Sequence, residues 1–127
     1  SGDDHVHFLG FQNQSRMPTV YRLGDVFVLP SRGPGETWGL AVNEAMACGR
    51  PVVVSDRVGC APDLVDDGRN GYICEAGSTD SLTQTLQACL GEVGRLEEMG
   101  RASHTMIQDW SIPVEARRIA GALDEYL

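Results

Sequence analysis

Three short runs of continuous apolar residues constrain the fold of this chain more than any other feature. They lie within the segments 25–31 (DVFVLPS), 51–55 (PVVVS) and 70–76 (NGYICEA). Strands that are apolar throughout, and not alternating, are typical of a sheet covered on both faces. Strands that alternate with helices indicate parallel βαβ units. The sequence therefore predicts one α/β domain over residues 1–127, with a Rossmann-like parallel sheet and flanking helices.

The segments between these strands have helical character. Residues 17–24 predict a short helix that begins near Pro18 and stops at Gly24. A second helix is predicted over 40–49, ending at Gly49, and a short one over 61–68. One more apolar run, at 6–11, precedes them and is interpreted as a strand.

From about residue 78 the chain is predicted to be a helical tail. Ser78 is the expected N-cap of its first helix, whose apolar face carries Leu82, Leu86, Cys89 and Leu90. Two more short helical pieces are expected around Leu96–Met99 and Met106–Ile107, and a last helix after Ser111.

Charge and cysteine content exclude several classes of protein. The formal net charge is −8 and all ten basic residues are Arg, which argues against a nucleic-acid-binding face. No apolar run approaches the ~20 residues of a membrane span, and the N-terminus lacks a signal-peptide pattern. The four cysteines form no CxxC pair, so they are interpreted as reduced core residues of a cytoplasmic protein and not as zinc ligands.

The stretch 33–49 (GPGETWGLAVNEAMACG) carries two glutamates, Glu36 and Glu44, on either side of a helix start. Both are compatible with ordinary roles, one near a helix N-terminus and one in solvent. On one helix, eight residues would separate them by roughly 12 Å. Glycosidase carboxylate pairs lie roughly 5–9.5 Å apart, so the spacing favours two contacts to an extended ligand.

The helix start between the two glutamates suits a phosphate. Its backbone N–H groups lack intrahelical acceptors and its dipole is positive at that end, while Gly39 allows close approach. Carboxylates accept hydrogen bonds from sugar hydroxyls. The strand at 25–31 directs the loop 32–38 to the carboxyl edge of the sheet, where such folds bind ligands. A nucleotide sugar fits this order of groups.

These motifs together resemble a known family. The E-x7-E pattern with its aromatic-Gly step, "NEAMACGRPVVVSD" and "VGCAPDLVDDGRNGYI" are similar to the C-terminal donor-binding domain of family-4 retaining glycosyltransferases, the glycosyl transferases group 1. The resemblance covers about residues 5–80 and implies part of a two-lobed GT-B fold. It implies transfer of a sugar from a nucleotide sugar to an acceptor hydroxyl, with retention and without a metal or other cofactor.

The resemblance also implies roles for individual residues. Glu36 would contact the donor sugar as the catalytic carboxylate, Gly39 and Leu40 would offer amides to the phosphate, and Glu44 would bind the ribose. Thr37 and Trp38 would complete the donor site, with packing the more common role of the aromatic residue. Phe11 and Gln12 would lie near the base.

The chain also departs from the family pattern. It contains no Lys for the donor pyrophosphate, and the two preceding strands and the acceptor-binding lobe are not represented. We therefore expect a domain truncated at its N-terminal side, inactive in isolation, whose partner is the missing lobe. The run 6–11 would lose its neighbours and expose a strand edge open to self-association. For the full-length enzyme, peripheral attachment at the inner membrane face stays open.

Two alternatives belong to other classes. One is a non-catalytic half-domain that acts in association. The other is an unrelated phosphate-binding module such as an NTPase or a dehydrogenase, which the lack of GxxxxGK[ST] and of GxGxxG after a strand disfavours.

Overall fold

The computed structural model describes residues 9–10, 14–32, 39–91 and 94–110. At its centre is a parallel sheet in the order β1-β2-β3, with strands β1 (Phe27–Leu29), β2 (Val52–Ser55) and β3 (Gly71–Cys74). In the register, Val53 of β2 lies between Val28 of β1 and Tyr72 of β3. The predicted Rossmann-like α/β fold with a parallel sheet is confirmed.

Five α-helices surround the sheet in the described residues. They are α1 (Met17–Leu23), α2 (Leu40–Ala47), α3 (Ala61–Leu64), α4 (Thr79–Leu90) and α5 (Arg95–Ile107), with 3-10 turns at Gln14–Arg16 and Gln108–Trp110. The predicted cap of α4 is confirmed, because the Ser78 side chain accepts a hydrogen bond from the Ser81 N–H at 3.1 Å. The alternation of strands and helices follows the sequence pattern closely.

Two helix predictions need correction, one in the number of helices and one in the position of a helix end. The expected pair of short pieces around 96–99 and 106–107 is a single helix, α5, whose buried face includes Gly100 and Ser103 as well as Met99 and Ile107. These small residues interrupt the apolar pattern without interrupting the helix. The helix predicted over 61–68 ends at Leu64 instead.

Asn70 explains the early end of α3. Its side-chain NH₂ donates to the Leu64 carbonyl at 2.9 Å and its Oδ1 accepts from the Asp66 N–H at 2.8 Å. The side chain is fully buried. These bonds satisfy the backbone beyond the helix, so the chain turns toward β3 and does not continue as a helix.

The core has two parts, one on each face of the sheet. Val52 and Val54 belong to the cluster that contains α2 and α3 residues, whereas Val53 belongs to a cluster with Cys89 and Met99 of α4 and α5. Successive strand residues point to opposite faces, and all of β2 is buried. Coverage of both faces explains why the strands are apolar throughout.

The C-terminal end of α2 is closed by its own backbone. The Gly49 N–H donates to the Met46 carbonyl at 2.9 Å and the Arg50 N–H to the Ala45 carbonyl at 3.1 Å. This pattern needs a left-handed residue, and Gly49 has φ 73°. In α5, Gly100 packs against the Gly49 carbonyl so closely that a Cβ at position 100 would collide with it.

The cysteines occupy the core as predicted. Cys60, Cys74 and Cys89 are buried, Cys48 is partly buried, and none of the four forms a disulfide bond. Burial raises the pKa of the Cys74 and Cys89 thiols above the ordinary value. Buried thiols of this kind act as small apolar side chains.

Several predictions fall on residues that the structure does not describe. Of the strand predicted at 6–11, only Leu9 and Gly10 are described, and neither lies in a strand. The final helix predicted after Ser111 lies outside the described residues. Most of the run 6–11 does too, so the hypothesis of self-association through its strand edge stays a prediction.

Candidate functional site

The N-terminus of α2 lies at the carboxyl edge of the sheet. Strand β1 ends at Leu29, α2 begins at Leu40, and β2 runs parallel to β1. The connection therefore crosses the sheet from the carboxyl end of β1 to the amino end of β2, with the first turn of α2 near the carboxyl edge. This edge is where parallel α/β sheets bind ligands.

Within the described residues, the first turn of α2 is an open helix end without a side-chain cap. Its N-cap, Gly39, is buried and left-handed with φ 88° and ψ 60°. Because glycine has no side chain, the N-cap cannot satisfy the first amides in the way that Ser or Asp would. The Val42 N–H donates to the Gly39 carbonyl at 2.9 Å, whereas the amides of Leu40 and Ala41 have no acceptor within the helix.

The electrostatics of this end favour an anion. The first turn of α2 contains no acidic residue, so no side chain within that turn offsets the positive end of the helix dipole. The Leu40 side chain is 61% exposed, which places the first turn at the surface. A phosphate group is the ligand that such an end binds most readily.

Glu44 lies one helical turn beyond Leu40, about 6 Å along the axis. It is partly exposed, and its Oε2 accepts a hydrogen bond from the Tyr21 hydroxyl of α1 at 2.9 Å. A carboxylate has two oxygens and about four acceptor positions. The bond from Tyr21 therefore does not by itself use all the acceptor positions of Glu44.

The Tyr21 side chain is itself held in place by packing. Its side chain is 8% exposed, and its ring packs edge-on against Phe27 of β1 with centroids 5.6 Å apart and an interplanar angle of 74°. Burial, followed by the hydrogen bond to Glu44 and its negative charge, raises the pKa of the Tyr21 hydroxyl well above its usual range. The hydroxyl therefore stays protonated and remains a donor at neutral pH.

Two further contacts support the loop that joins β1 to α2. The Cys60 side chain is fully buried, with its sulfur 3.8 Å from the Gly39 carbonyl oxygen, so the predicted packing role of Cys60 is confirmed. Ser55, fully buried at the end of β2, donates from its Oγ to the Ser31 carbonyl at 2.5 Å. These contacts hold the two ends of the connection that contains Glu36.

Of the predicted site residues, the structure brings Gly39, Leu40 and Glu44 together on one helix. Glu36, Thr37 and Trp38 lie outside the described residues, as do Phe11 and Gln12. The His104 side chain is exposed.

Sequence reasoning missed Tyr21 and Ser55. Each contacts a residue more than twenty positions away, at 23 residues for Tyr21 and 24 for Ser55. No local spacing signals such a pair, so only the fold identifies it.

An open recess of about 890 Å³ lies at the opposite end of the sheet. Arg50 and Pro51 line it, together with Leu96, Gly100 and His104. It is separate from the open end of α2. In the described part of the chain, no group of three or more metal-ligating side chains occurs, and no helix is long and apolar enough to span a membrane.

The chain belongs to the glycosyl transferases group 1, because the model of that family matches residues 2–106. It is 35% identical over 108 residues to the D-inositol 3-phosphate glycosyltransferase of Gordonia bronchialis, covering 85% of this chain and 23% of that protein.

A mycobacterial relative extends the similarity over nearly the whole chain. It is the GDP-mannose-dependent alpha-(1-6)-phosphatidylinositol monomannoside mannosyltransferase of Mycolicibacterium smegmatis, 32% identical over 126 residues, covering 94% of this chain and 33% of that protein. The chain thus spans a quarter to a third of the length of these curated relatives.

Solved structures agree with the family assignment. The Anabaena protein HepE, determined in complex with UDP and glucose, matches 97% of this chain and 33% of its own with a TM-score of 0.81 and 27% identity. Sucrose-phosphate synthase of Thermosynechococcus elongatus matches 98% of this chain and 31% of its own with a TM-score of 0.78 and 24% identity, which supports the fold alone. The structural neighbours are GT-B glycosyltransferases.

Proposed function

We propose that this chain is the donor-binding part of a family-4 retaining glycosyltransferase that uses a nucleotide sugar. The observation that carries the proposal is the open end of α2, where the left-handed Gly39 and the first amides lie one turn from the partly exposed Glu44. That order of groups matches a phosphate followed by a ribose. The UDP and glucose bound by HepE, at 27% identity, support the same ligand class here.

In this proposal each residue has one task. The amides of Gly39 and Leu40 bind the donor phosphate. They stabilise the negative charge that develops on it as the bond between this phosphate and the donor sugar breaks. Glu44 accepts hydrogen bonds from the ribose hydroxyls. Glu36 contacts the sugar, with Thr37 and Trp38 beside it, and Phe11 and Gln12 lie near the base.

The acceptor is assigned to a second lobe, since the relatives are three to four times longer than this chain. We expect the isolated chain to bind the donor weakly and to transfer no sugar. Phosphate stabilisation by helix amides needs no metal in this scheme.

The test is a titration of UDP, GDP and ADP and of their sugar conjugates into the chain, followed by calorimetry and NMR. Saturable binding of one nucleotide is expected, and Glu44→Ala should abolish most of it. Glu44→Gln separates the charge from the shape, because its amide oxygen is still able to accept from Tyr21.

Glu98→Ala is the matched control, since Glu98 is an exposed helical glutamate on α5. It should bind nucleotides as the unaltered chain does. Failure of a folded chain to bind any of the nucleotides at millimolar concentration would contradict the proposal and favour a non-catalytic role in association.

A further inference from the structure

The hydrogen bond between Tyr21 and Glu44 joins two helices that pack side by side. Tyr21 lies in the last turn of α1 and Glu44 in the middle of α2, and their oxygens are 2.9 Å apart. A hydroxyl that donates to a carboxylate makes a stronger hydrogen bond than a neutral pair does. The bond therefore restrains the Glu44 side chain.

The donor itself is fixed by packing. The Tyr21 ring is nearly buried and meets Phe27 edge-on, in the arrangement that aromatic pairs prefer. Phe27 belongs to β1, so the position of the hydroxyl is set by the sheet. Near this pair, the Cys48 sulfur lies 3.9 Å from the Pro18 carbonyl and ties α1 to α2 a second time.

We propose that Tyr21 is a positioning residue, whose hydroxyl holds the Glu44 carboxylate in the orientation that accepts the ribose hydroxyls of a nucleotide. This inference rests on the proposed function, since it assumes that Glu44 is the ribose ligand. It adds a residue from α1, outside the motif around α2, to the donor site.

The physical reason is preorganisation. A glutamate side chain loses rotamer freedom worth up to about 2 kcal/mol when it is fixed. When the fold has already fixed the side chain, this entropy loss does not reduce the free energy of binding. A site held by neighbouring packed side chains is also more accurate in geometry than one whose ligands move freely.

Tyr21→Phe removes the hydroxyl and keeps the ring on Phe27, so the fold should survive. The probes are UDP, GDP and ADP, each compared with its 2′,3′-dideoxy form in this chain. We expect Tyr21→Phe to weaken binding of the preferred ribonucleotide about fivefold, within the range expected when a fixed side chain is released. Affinity for the dideoxy form should change less than twofold.

Tyr72→Phe is the matched control, since Tyr72 is a partly buried tyrosine that packs in the cluster on the other face of the sheet. It should leave the ratio of ribonucleotide to dideoxynucleotide affinity unchanged. In a double variant with Glu44→Ala, which leaves Tyr21 no side-chain acceptor at position 44, Tyr21→Phe should lower the ratio no further, because the two residues act as one unit.

Each outcome decides between the hypotheses. A lower ratio of ribonucleotide to dideoxynucleotide affinity in Tyr21→Phe, that is, a loss of ribose discrimination, supports the positioning role. The midpoint of urea unfolding should then be unchanged or shift only slightly. An equal loss of affinity for both nucleotide forms would make Tyr21 a structural tie only and overturn the inference, while the proposed function would stand. If the unaltered chain binds a nucleotide without ribose discrimination, the ribose role of Glu44 fails and the inference with it. If it binds none of the nucleotides, the proposed function fails as well.

Discussion

The two ends of helix α2 are built in opposite ways. At the C-terminal end, the Gly49 and Arg50 amides donate to carbonyls of the last turn, and α5 packs tightly over the turn through Gly100. At the N-terminal end, Gly39 supplies no capping side chain and Leu40 is largely exposed. Both ends use a left-handed glycine. The closed end contributes to the stability of the fold, whereas the open end is where the proposed function places the donor phosphate.

The largest effect is expected from a change at the closed end. In Gly100→Val the new side chain would collide with the Gly49 carbonyl, a backbone atom that cannot move aside without shifting α2 or α5. We expect a loss of about 3 kcal/mol in the free energy of unfolding. Urea unfolding followed by circular dichroism measures it.

Gly24→Val is the control for that variant. Gly24 has an extended backbone, with φ −107° and ψ 160°, and its nearest neighbour would lie 3.8 Å from an added Cβ. Its unfolding midpoint should change little. Equal midpoints for the two variants would show that α5 does not close the end of α2.

A comparison of the two glycines sharpens the contrast between the ends. Gly39→Ala and Gly49→Ala each force a left-handed alanine, which costs about 1–2 kcal/mol of stability. Only Gly39→Ala should also weaken nucleotide binding, because it alters the amides of the open end. Urea unfolding and calorimetry on both variants separate the two effects.

Asn is the rescue variant at both positions, because it tolerates the left-handed region better than alanine does. Gly49→Asn should recover part of the lost stability. A loss of nucleotide affinity in Gly49→Ala as large as that in Gly39→Ala would contradict the division between a closed and an open end.

The sequence predicted the three strands of the sheet and most of the described helices because their signals are local. The apolar runs around Phe27, Val53 and Ile73 and the stop at Gly49 are each readable within ten residues. Helix α5 was predicted as two pieces because Gly100 and Ser103 occupy its buried face. Gly100 lies against the Gly49 carbonyl, where a larger residue would collide, and Ser103 donates from its Oγ to the Asn70 carbonyl at 3.4 Å.

The same distinction between local and long-range signals applies to the candidate site. Gly39, Leu40 and Glu44 share one helix, so their proximity follows from the helical repeat. The partners that hold the site, Tyr21 for Glu44 and Ser55 for Ser31, come from other elements. Those pairings depend on how α1 crosses α2 and on how β1 and β2 align, and no spacing in the sequence encodes them.

The smallest expected effect is on the pH dependence of the free energy of unfolding. This dependence should differ between variants at the two ends of α2. The unfolded chain releases the Tyr21 proton near the ordinary tyrosine pKa of about 10. The folded chain retains it, because burial and Glu44 raise the pKa of the hydroxyl. The native state then binds more protons than the unfolded state, so this contribution to stability is complete below about pH 10 and declines above it.

Tyr21→Phe has no such proton to lose. The difference in unfolding free energy between the unaltered chain and Tyr21→Phe should therefore shrink by up to about 1 kcal/mol between about pH 9 and pH 11. The buried thiols of Cys74 and Cys89 are present in both proteins, so their titration cancels in the difference.

Gly49→Ala is the comparator, since the closed end is held by backbone hydrogen bonds without a titratable group. Its difference from the unaltered chain should stay constant over the same range. A constant difference for Tyr21→Phe as well would show that the Tyr21 hydroxyl titrates alike in both states and that its bond to Glu44 does not restrain the open half of the helix.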